Sequence, residues 1–114
     1  MLKLNHKDLI VWKKSIELVK EVYSVTFKLP PAEKFGLTSQ IRRASVSVSS
    51  NISEGASRKS KIERSRYYEI ARSSLVEVDT QIEICLTLNF LNESDIQKLE
   101  VLANEVFAML SAMK

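Results

Sequence analysis

The sequence predicts an all-α protein, an antiparallel up-and-down four-helix bundle, and three observations support this prediction. Apolar residues recur at spacings of three and four over most of the chain, as on the buried face of an amphipathic helix. Only 2 glycines and 2 prolines occur in 114 residues, too few for the many turns of an all-β fold. The helical stretches are separated by short joints, which favour antiparallel neighbours. We expect a single domain over residues 1–114, because no linker or repeat interrupts the chain.

The first predicted helix covers residues 6–28 and ends before Pro30–Pro31, because proline cannot continue the hydrogen-bond ladder. The second covers residues 32–56, and Gly55 marks its expected C-terminus. Residues 45–49 alternate serine and valine and leave a short strand as an alternative, although the four-residue spacing continues on both sides. The core stripe assigned to the first helix is Trp12, Ile16, Val19, Tyr23 and Thr26. That of the second is Leu37, Ile41, Ala44, Val48 and Ile52.

Two predicted capping boxes mark the starts of the remaining helices. Ser60 with Glu63 opens the third helix, which extends to about residue 89. Ser94 with Gln97 opens the fourth, after a predicted break at residues 89–92. The core stripe of the third helix is Ala71, Leu75, Val78, Ile82 and Cys85. That of the fourth is Ile96, Leu99, Ala103, Val106, Leu110 and Met113.

A second apolar stripe lies beside the predicted core stripe on the first and third helices. Ile82 and Ile84 lie about 200° apart around a helix, so they cannot both face one core. Because monomers rarely leave large apolar patches in water, the sequence predicts a homo-oligomer. A wide core-facing band within one chain is the alternative. The residues assigned to the oligomer interface are Val11, Leu18, Val22, Val76, Ile84 and Leu88.

No group of residues in the sequence has the composition of a catalytic site. His6 is the only histidine, and no Glu-x-x-His pair or glycine-rich phosphate loop occurs. Cys85, the single cysteine, excludes an internal disulfide, falls on the predicted core and fits a reducing compartment. We therefore expect a non-enzymatic protein with no cofactor and no metal. The sequence also lacks a membrane-spanning apolar stretch and a secretory signal, which predicts a cytoplasmic protein with no membrane partner.

The charges are unevenly distributed behind a formal net charge of +3. Residues 34–72 carry nine basic and three acidic side chains, whereas residues 73–114 carry two and seven. The basic residues concentrate near the joint between the second and third helices, and two tyrosines follow them. We expect this joint to bind RNA or another nucleic acid, because guanidinium groups bind phosphates and tyrosines stack on unpaired bases. The assigned residues are Arg42, Arg43, Arg58, Lys59, Lys61, Arg64, Arg66, Tyr67 and Tyr68.

Two alternatives to a nucleic-acid site remain open for this segment. In the first, the arginines at its start pair with glutamates across the helices and the tyrosines pack on the core. In the second, the basic residues contact an acidic protein surface, such as the fourth helix of a neighbouring copy. The protein is then an interaction module without direct contact to nucleic acid. The glutamates of the first alternative are Glu54, Glu69 and Glu77.

Several short motifs together resemble one known family. They include Asp8-Leu9 with Trp12, Pro31-x-Glu33, Gly36-Leu37, Gln40-Ile41-Arg42-Arg43-Ala44 and Asn51-Ile52-Ser53-Glu54-Gly55. The chain resembles the small four-helix proteins encoded in intervening sequences of bacterial 23S ribosomal RNA genes. The accessory variability proteins of diversity-generating retroelements are similar to it. The likeness covers nearly the whole chain and is most specific over residues 40–55.

The resemblance implies a bacterial four-helix bundle that assembles as a homopentamer. It also implies a basic surface that engages nucleic acid or, among the retroelement relatives, a reverse transcriptase with its RNA. No enzymatic activity comes with the family. One departure concerns the third helix, where many relatives have Gly-Ser and this chain has Arg72-Ser73-Ser74.

Overall fold

The computed structural model describes residues 1–113, and this part of the chain forms four long α-helices and no strand. The serine and valine alternation at residues 45–49 is helical, so the strand alternative is wrong. Short 3₁₀ turns occupy Asn5–Asp8, Pro31–Glu33 and Glu93–Asp95. The helices are α1 (Ile10–Thr26), α2 (Leu37–Ala56), α3 (Lys61–Thr87) and α4 (Gln97–Ala112).

Each helix packs against the next one along the chain, and α4 packs back against α1. Hydrogen bonds from the first half of one helix to the end of its neighbour show that these neighbours are antiparallel. The Trp12 indole, at the start of α1, donates to Ser53 Oγ near the end of α2 at 2.9 Å. The Arg72 side chain of α3 donates to Ser111 Oγ, near the end of α4, at 2.9 Å. The predicted antiparallel up-and-down bundle is therefore confirmed, with overall dimensions of 44 × 27 × 20 Å.

The core stripes predicted for three of the four helices are confirmed. Their members lie in one contiguous buried cluster, apart from Leu37, Ala103 and Met113, which are half-buried and pack against it. Cys85 is fully buried among them. The buried members are Ile41, Ala44, Val48 and Ile52 in α2, Ala71, Leu75, Val78, Ile82 and Cys85 in α3, and Leu99, Val106 and Leu110 in α4, with Ile96 just before it.

The core stripe predicted for α1 is wrong at most of its positions, and Thr26 is its one fully buried member. Val11, Leu18 and Val22 are 4%, 0% and 0% exposed and belong to the core of a single chain, so their assignment to an oligomer interface is wrong. Ile16 and Tyr23, placed in the core by the sequence, are 43% and 44% exposed. Both stripes of this helix are apolar, so periodicity alone could not say which one faces the core. Packing between α2 and α4 decides it.

The second predicted capping box does not form. Asn92 and Asp95 make the reciprocal pair instead: Asn92 Oδ1 accepts the Asp95 amide, and Asp95 Oδ2 accepts the Asn92 amide at 2.9 Å. This pair caps the 3₁₀ turn at Glu93–Asp95, and α4 begins at Gln97 without a side-chain cap. The first box is confirmed in its serine half, because Ser60 Oγ accepts the Glu63 amide at 3.3 Å.

The breaks between helices follow from particular backbone conformations. Asn89 adopts a left-handed conformation, with φ of 60°, just beyond the end of α3. The Phe90 amide then donates to Cys85 O at 2.9 Å and the Asn89 amide to Leu86 O at 3.1 Å. This is the Schellman pattern, which satisfies carbonyls that a helix C-terminus leaves without partners. The predicted break at residues 89–92 is thereby confirmed.

Within residues 1–113, no helix combines the length and apolar character that a membrane span requires.

Candidate nucleic-acid interface

The basic residues predicted to form one site lie toward opposite ends of α2. At 1.5 Å per residue, Arg42 is about 20 Å along the helix from Gly55. Arg42 is bound instead to the end of α1, where its Nε donates to Thr26 Oγ1 at 2.9 Å. Its guanidinium carbon lies 4.5 Å from the centroid of the Tyr23 ring. The prediction that Arg42 and Arg43 join the cluster at the α2–α3 joint is therefore wrong.

Neither arginine makes the alternative ion pairs that the sequence allowed. Arg42 and Arg43 have no carboxylate within 4.0 Å among the residues that the structure describes. Arg43 is exposed and stands beside Gln40, Ser47 and Glu77 on the outer side of α2.

Two arginines of the joint bind neighbouring groups within it, Arg58 through side chains and Arg64 through the backbone. Arg58 Nη2 donates to Glu54 Oε2 at 3.1 Å and to the Tyr67 hydroxyl at 3.0 Å. Arg64 Nη1 donates to the carbonyls of Arg58 at 3.1 Å and Lys59 at 2.7 Å. Because the end of a helix leaves carbonyls without partners, a guanidinium that binds the following loop stabilises the joint. Both side chains are half-buried, and we assign them a structural role in the joint rather than a role in ligand binding.

The tyrosines of the joint pack against α2. A Cβ atom added at Gly55 would lie 2.8 Å from Tyr68 Cε1 and 3.0 Å from Tyr67 Cβ. Tyr68 also packs against the buried cluster, and its burial raises the pKa of the phenol above the usual 10.0. Both rings are half-buried, so the structure favours the packing alternative for them over a role as a stacking surface.

Three cations of the predicted site remain available to a ligand. Lys59, Lys61 and Arg66 are exposed, and no carboxylate of residues 1–113 lies within 4.0 Å of their charged nitrogens. They surround the start of α3, whose unpaired amides and helix dipole add positive potential. Stability alone does not favour cations at this position, because they oppose the dipole.

The fold brings further cations to the same end, which the sequence analysis missed. The N-terminal 3₁₀ turn contacts α2, and Trp12 reaches Ser53, so the start of the chain lies beside the α2–α3 joint. Residues 1–14 and 53–68 together hold nine lysines and arginines against three carboxylates. An antiparallel arrangement of helices 1 and 2 was itself enough to predict this proximity. We call the set Lys3, Lys7, Lys13, Lys59, Lys61 and Arg66 the basic end.

Potential metal ligands and the single thiol are the remaining chemical groups of residues 1–113. No group of three or more histidine, cysteine, aspartate and glutamate side chains in residues 1–113 is placed to hold a metal ion. Cys85 is fully buried, and burial raises the pKa of its thiol above 9.0, which disfavours the reactive thiolate.

Comparison with protein families identifies the chain. The model of the 23S rRNA-intervening sequence protein family matches residues 7–112. The chain belongs to this family. The resemblance drawn from its motifs is thereby confirmed, over nearly the full length of the sequence.

A solved structure shares the fold of this family member. It is the crystal structure of a protein with unknown function from the S23 ribosomal protein family of Bacteroides thetaiotaomicron. The two align with a TM-score of 0.83 and 21% identity, over 92% of this chain and 99% of that chain. At this identity the likeness concerns the fold alone. A comparison with curated proteins gives no match.

Proposed function

We propose that this 23S rRNA-intervening sequence protein binds nucleic acid, RNA in particular, through the basic end, without catalysing a reaction. The observation that supports the proposal is the convergence of cations from two distant segments on one end of a rigid bundle. Lys3 and Lys13 come from the first fourteen residues, and Lys59, Lys61 and Arg66 from the α2–α3 joint. A phosphate backbone releases condensed counterions when such side chains neutralise it, which drives binding.

The joint presents its cations from a fixed backbone. Arg64 bonds to the carbonyls of Arg58 and Lys59, so the loop conformation is held before a ligand arrives. The side chains that extend from this loop are mainly lysines, which act as point charges and do not select bases. Binding should therefore depend on phosphate charge and salt more than on sequence.

Charge reversal within the basic end tests the proposal. The variant Lys59→Glu with Arg66→Glu leaves the arginines that hold the loop intact. Its affinity for a short RNA, measured by fluorescence anisotropy at low salt, should fall at least about ten-fold. The slope of log affinity against log salt should become shallower by about one to two.

The matched control reverses two exposed lysines elsewhere, Lys20→Glu with Lys98→Glu, and changes the net charge equally. Circular dichroism confirms that both variants are folded. Equal loss of RNA binding in the two variants would show a general charge effect and contradict a site at the basic end. Wild-type protein that binds no RNA at low salt would contradict the proposal altogether.

A protein-interaction role without nucleic acid is the second candidate, and exposed apolar residues favour it. Val76, Ile84 and Leu88 are 47%, 41% and 51% exposed on α3 and at its end.

The acidic fourth helix of another copy suits the basic end less well than the sequence suggested. Glu105 already pairs with Lys14 at 2.6 Å within the same chain. Asp95, just before that helix, pairs with Lys28 at 2.9 Å.

A further inference from the structure

A second surface that combines rings and cations lies away from the basic end, where α1 joins α2. An open groove of about 610 Å³ runs along the first half of α2 beside the end of α1. Phe35, on its wall, is 89% exposed. Phe27, the C-cap residue of α1 four positions after Tyr23, lies outside this lining and is 85% exposed. Neither phenylalanine was singled out by the sequence, because both lie in the joint that the prolines interrupt.

Two rings of this groove each lie against a cation. The Lys34 ammonium lies 5.5 Å from the centroid of the Phe35 ring, and the Arg42 guanidinium carbon 4.5 Å from that of Tyr23. Arg43 adds a third cation to the lining, which contains no carboxylate. The hydroxyl groups of the lining come from Tyr23, Thr38, Ser39, Ser47 and Ser50.

We propose that this groove binds single-stranded RNA, with unpaired bases stacked on Phe35 and Phe27 and phosphates near the three cations. Aromatic faces, cations and hydroxyls in one groove match the alternating bases and phosphates of a single strand. The lining carries three cations and no carboxylate, which complements the continuous negative charge of a phosphate backbone. The site is separate from the basic end and does not depend on it.

Truncation of the rings tests the stacking. A fluorescein-labelled twelve-residue oligouridylate is titrated with wild-type protein and with Phe35→Ala and Phe27→Ala, and anisotropy gives each dissociation constant. Each loss should weaken binding about ten-fold, since stacking is strong and tolerates any base. Phe35→Trp keeps an aromatic face and should retain wild-type affinity. Val101→Ala, a truncation of an exposed apolar residue on α4 outside both proposed sites, is the control and should have no effect.

A duplex RNA of twelve base pairs separates this site from the basic end. Phe35→Ala should leave duplex affinity unchanged, because paired bases cannot stack on the ring, whereas Lys59→Glu with Arg66→Glu should reduce it. Oligouridylate binding that ignores both phenylalanines but falls with the charge reversal would overturn the groove and keep the basic end. Oligouridylate binding that depends on Phe35, in a protein that binds no duplex, would support the groove and contradict the basic end.

Light scattering tests the competing explanation, that the two rings contact another copy of the chain. If Phe35→Ala or Phe27→Ala lowers the mass of the particle in solution and leaves oligouridylate binding unchanged, the rings contact another copy and the inference fails. Wild-type protein that does not bind oligouridylate at low salt also overturns it.

Discussion

Polar side chains inside the bundle bind one another across helices. Ser49 Oγ donates to Ser15 Oγ at 2.9 Å, between α2 and α1. Ser47 and Ser74 share a hydrogen bond of 2.8 Å between α2 and α3. Small hydroxyl residues at these positions let the backbones approach, and each buried oxygen keeps a partner. The serines of α2 that face α1 and α3 therefore serve packing.

Gly55 is needed for close approach, and it does not act as a helix terminator. It lies inside α2, which continues to Ala56, and its backbone is not left-handed. The space beside it is filled by Tyr67 and Tyr68, with the nearest ring carbon 2.8 Å from the position of an added Cβ. The sequence correctly indicated that position 55 needs glycine. The reason is the close approach of the two tyrosines, and not the end of the helix.

Substitution Gly55→Ala should therefore destabilise the fold, although alanine is the better helix former. Overpacking costs about 1–3 kcal/mol, and helix propensity returns up to about 1 kcal/mol, so we expect a net loss of about 1–2 kcal/mol. Urea denaturation measures this loss. Ser50→Ala, on the exposed side of the same helix, should change stability little. A Gly55→Ala protein as stable as wild type would show that the tyrosines move aside without cost.

At the scale of elements, local signals located the helices more accurately than their ends. Helix α1 ends at Thr26 and α2 begins only at Leu37, because Pro31 starts a separate 3₁₀ turn. Glu33 Oε1 then accepts the Leu37 amide at 3.2 Å and satisfies the start of α2. Before α4, Asn92 and Asp95 form the capping box, and the predicted pair of Ser94 and Gln97 does not. The spacing of apolar residues does not distinguish between two capping motifs that lie one or two residues apart.

Asp95 makes the stability of the joint before α4 dependent on pH. Hydrogen bonds from the Asn92 amide and from Lys28 hold the pKa of its carboxyl below 3.8. The folded protein then binds fewer protons than the unfolded chain, so this contribution is present above pH 3.8 and is lost as the pH falls through the lowered pKa. Asp95→Asn should lower the thermal midpoint at pH 7.

The difference between Asp95→Asn and wild type should narrow as thermal melts are repeated from pH 7 down to about pH 2.5. Asp79→Asn, at an exposed position of α3, provides the comparison and should follow the wild-type profile. A difference that stays constant across this range would assign the effect of Asp95 to packing alone.

At the scale of the molecule, exposed apolar residues remain after the bundle has closed. Val76 borders a groove between α3 and α4, whereas Ile84 and Leu88 lie further along α3 and at its end. Val11, Leu18 and Val22 no longer count toward such a surface, since they fill the core. The homo-oligomer, and the pentamer that the family resemblance implies, remain predictions that rest on the α3 residues.

Charged substitutions at the end of α3 test the assembly. Ile84→Glu with Leu88→Glu should reduce the particle to the mass of one chain, 13.0 kDa, because a buried charge opposes the contact. Multi-angle light scattering at micromolar concentration in moderate salt measures the mass. Ile62→Glu with Val101→Glu places equal charges on other exposed apolar positions and should leave the oligomer intact. A wild-type mass of 13.0 kDa would contradict the prediction of an oligomer.

The sequence by itself determined the fold class, the number of helices and three of the four core stripes. These depend on the spacing of apolar residues and on local breaks, and both are written along the chain. Tertiary structure alone decided which stripe of α1 is buried, since two adjacent apolar stripes have the same period. It also decided the composition of the basic end. Residues such as Lys3 and Lys59 are far apart in sequence, and antiparallel packing places them together while it separates Arg42 from the joint by about 20 Å of helix.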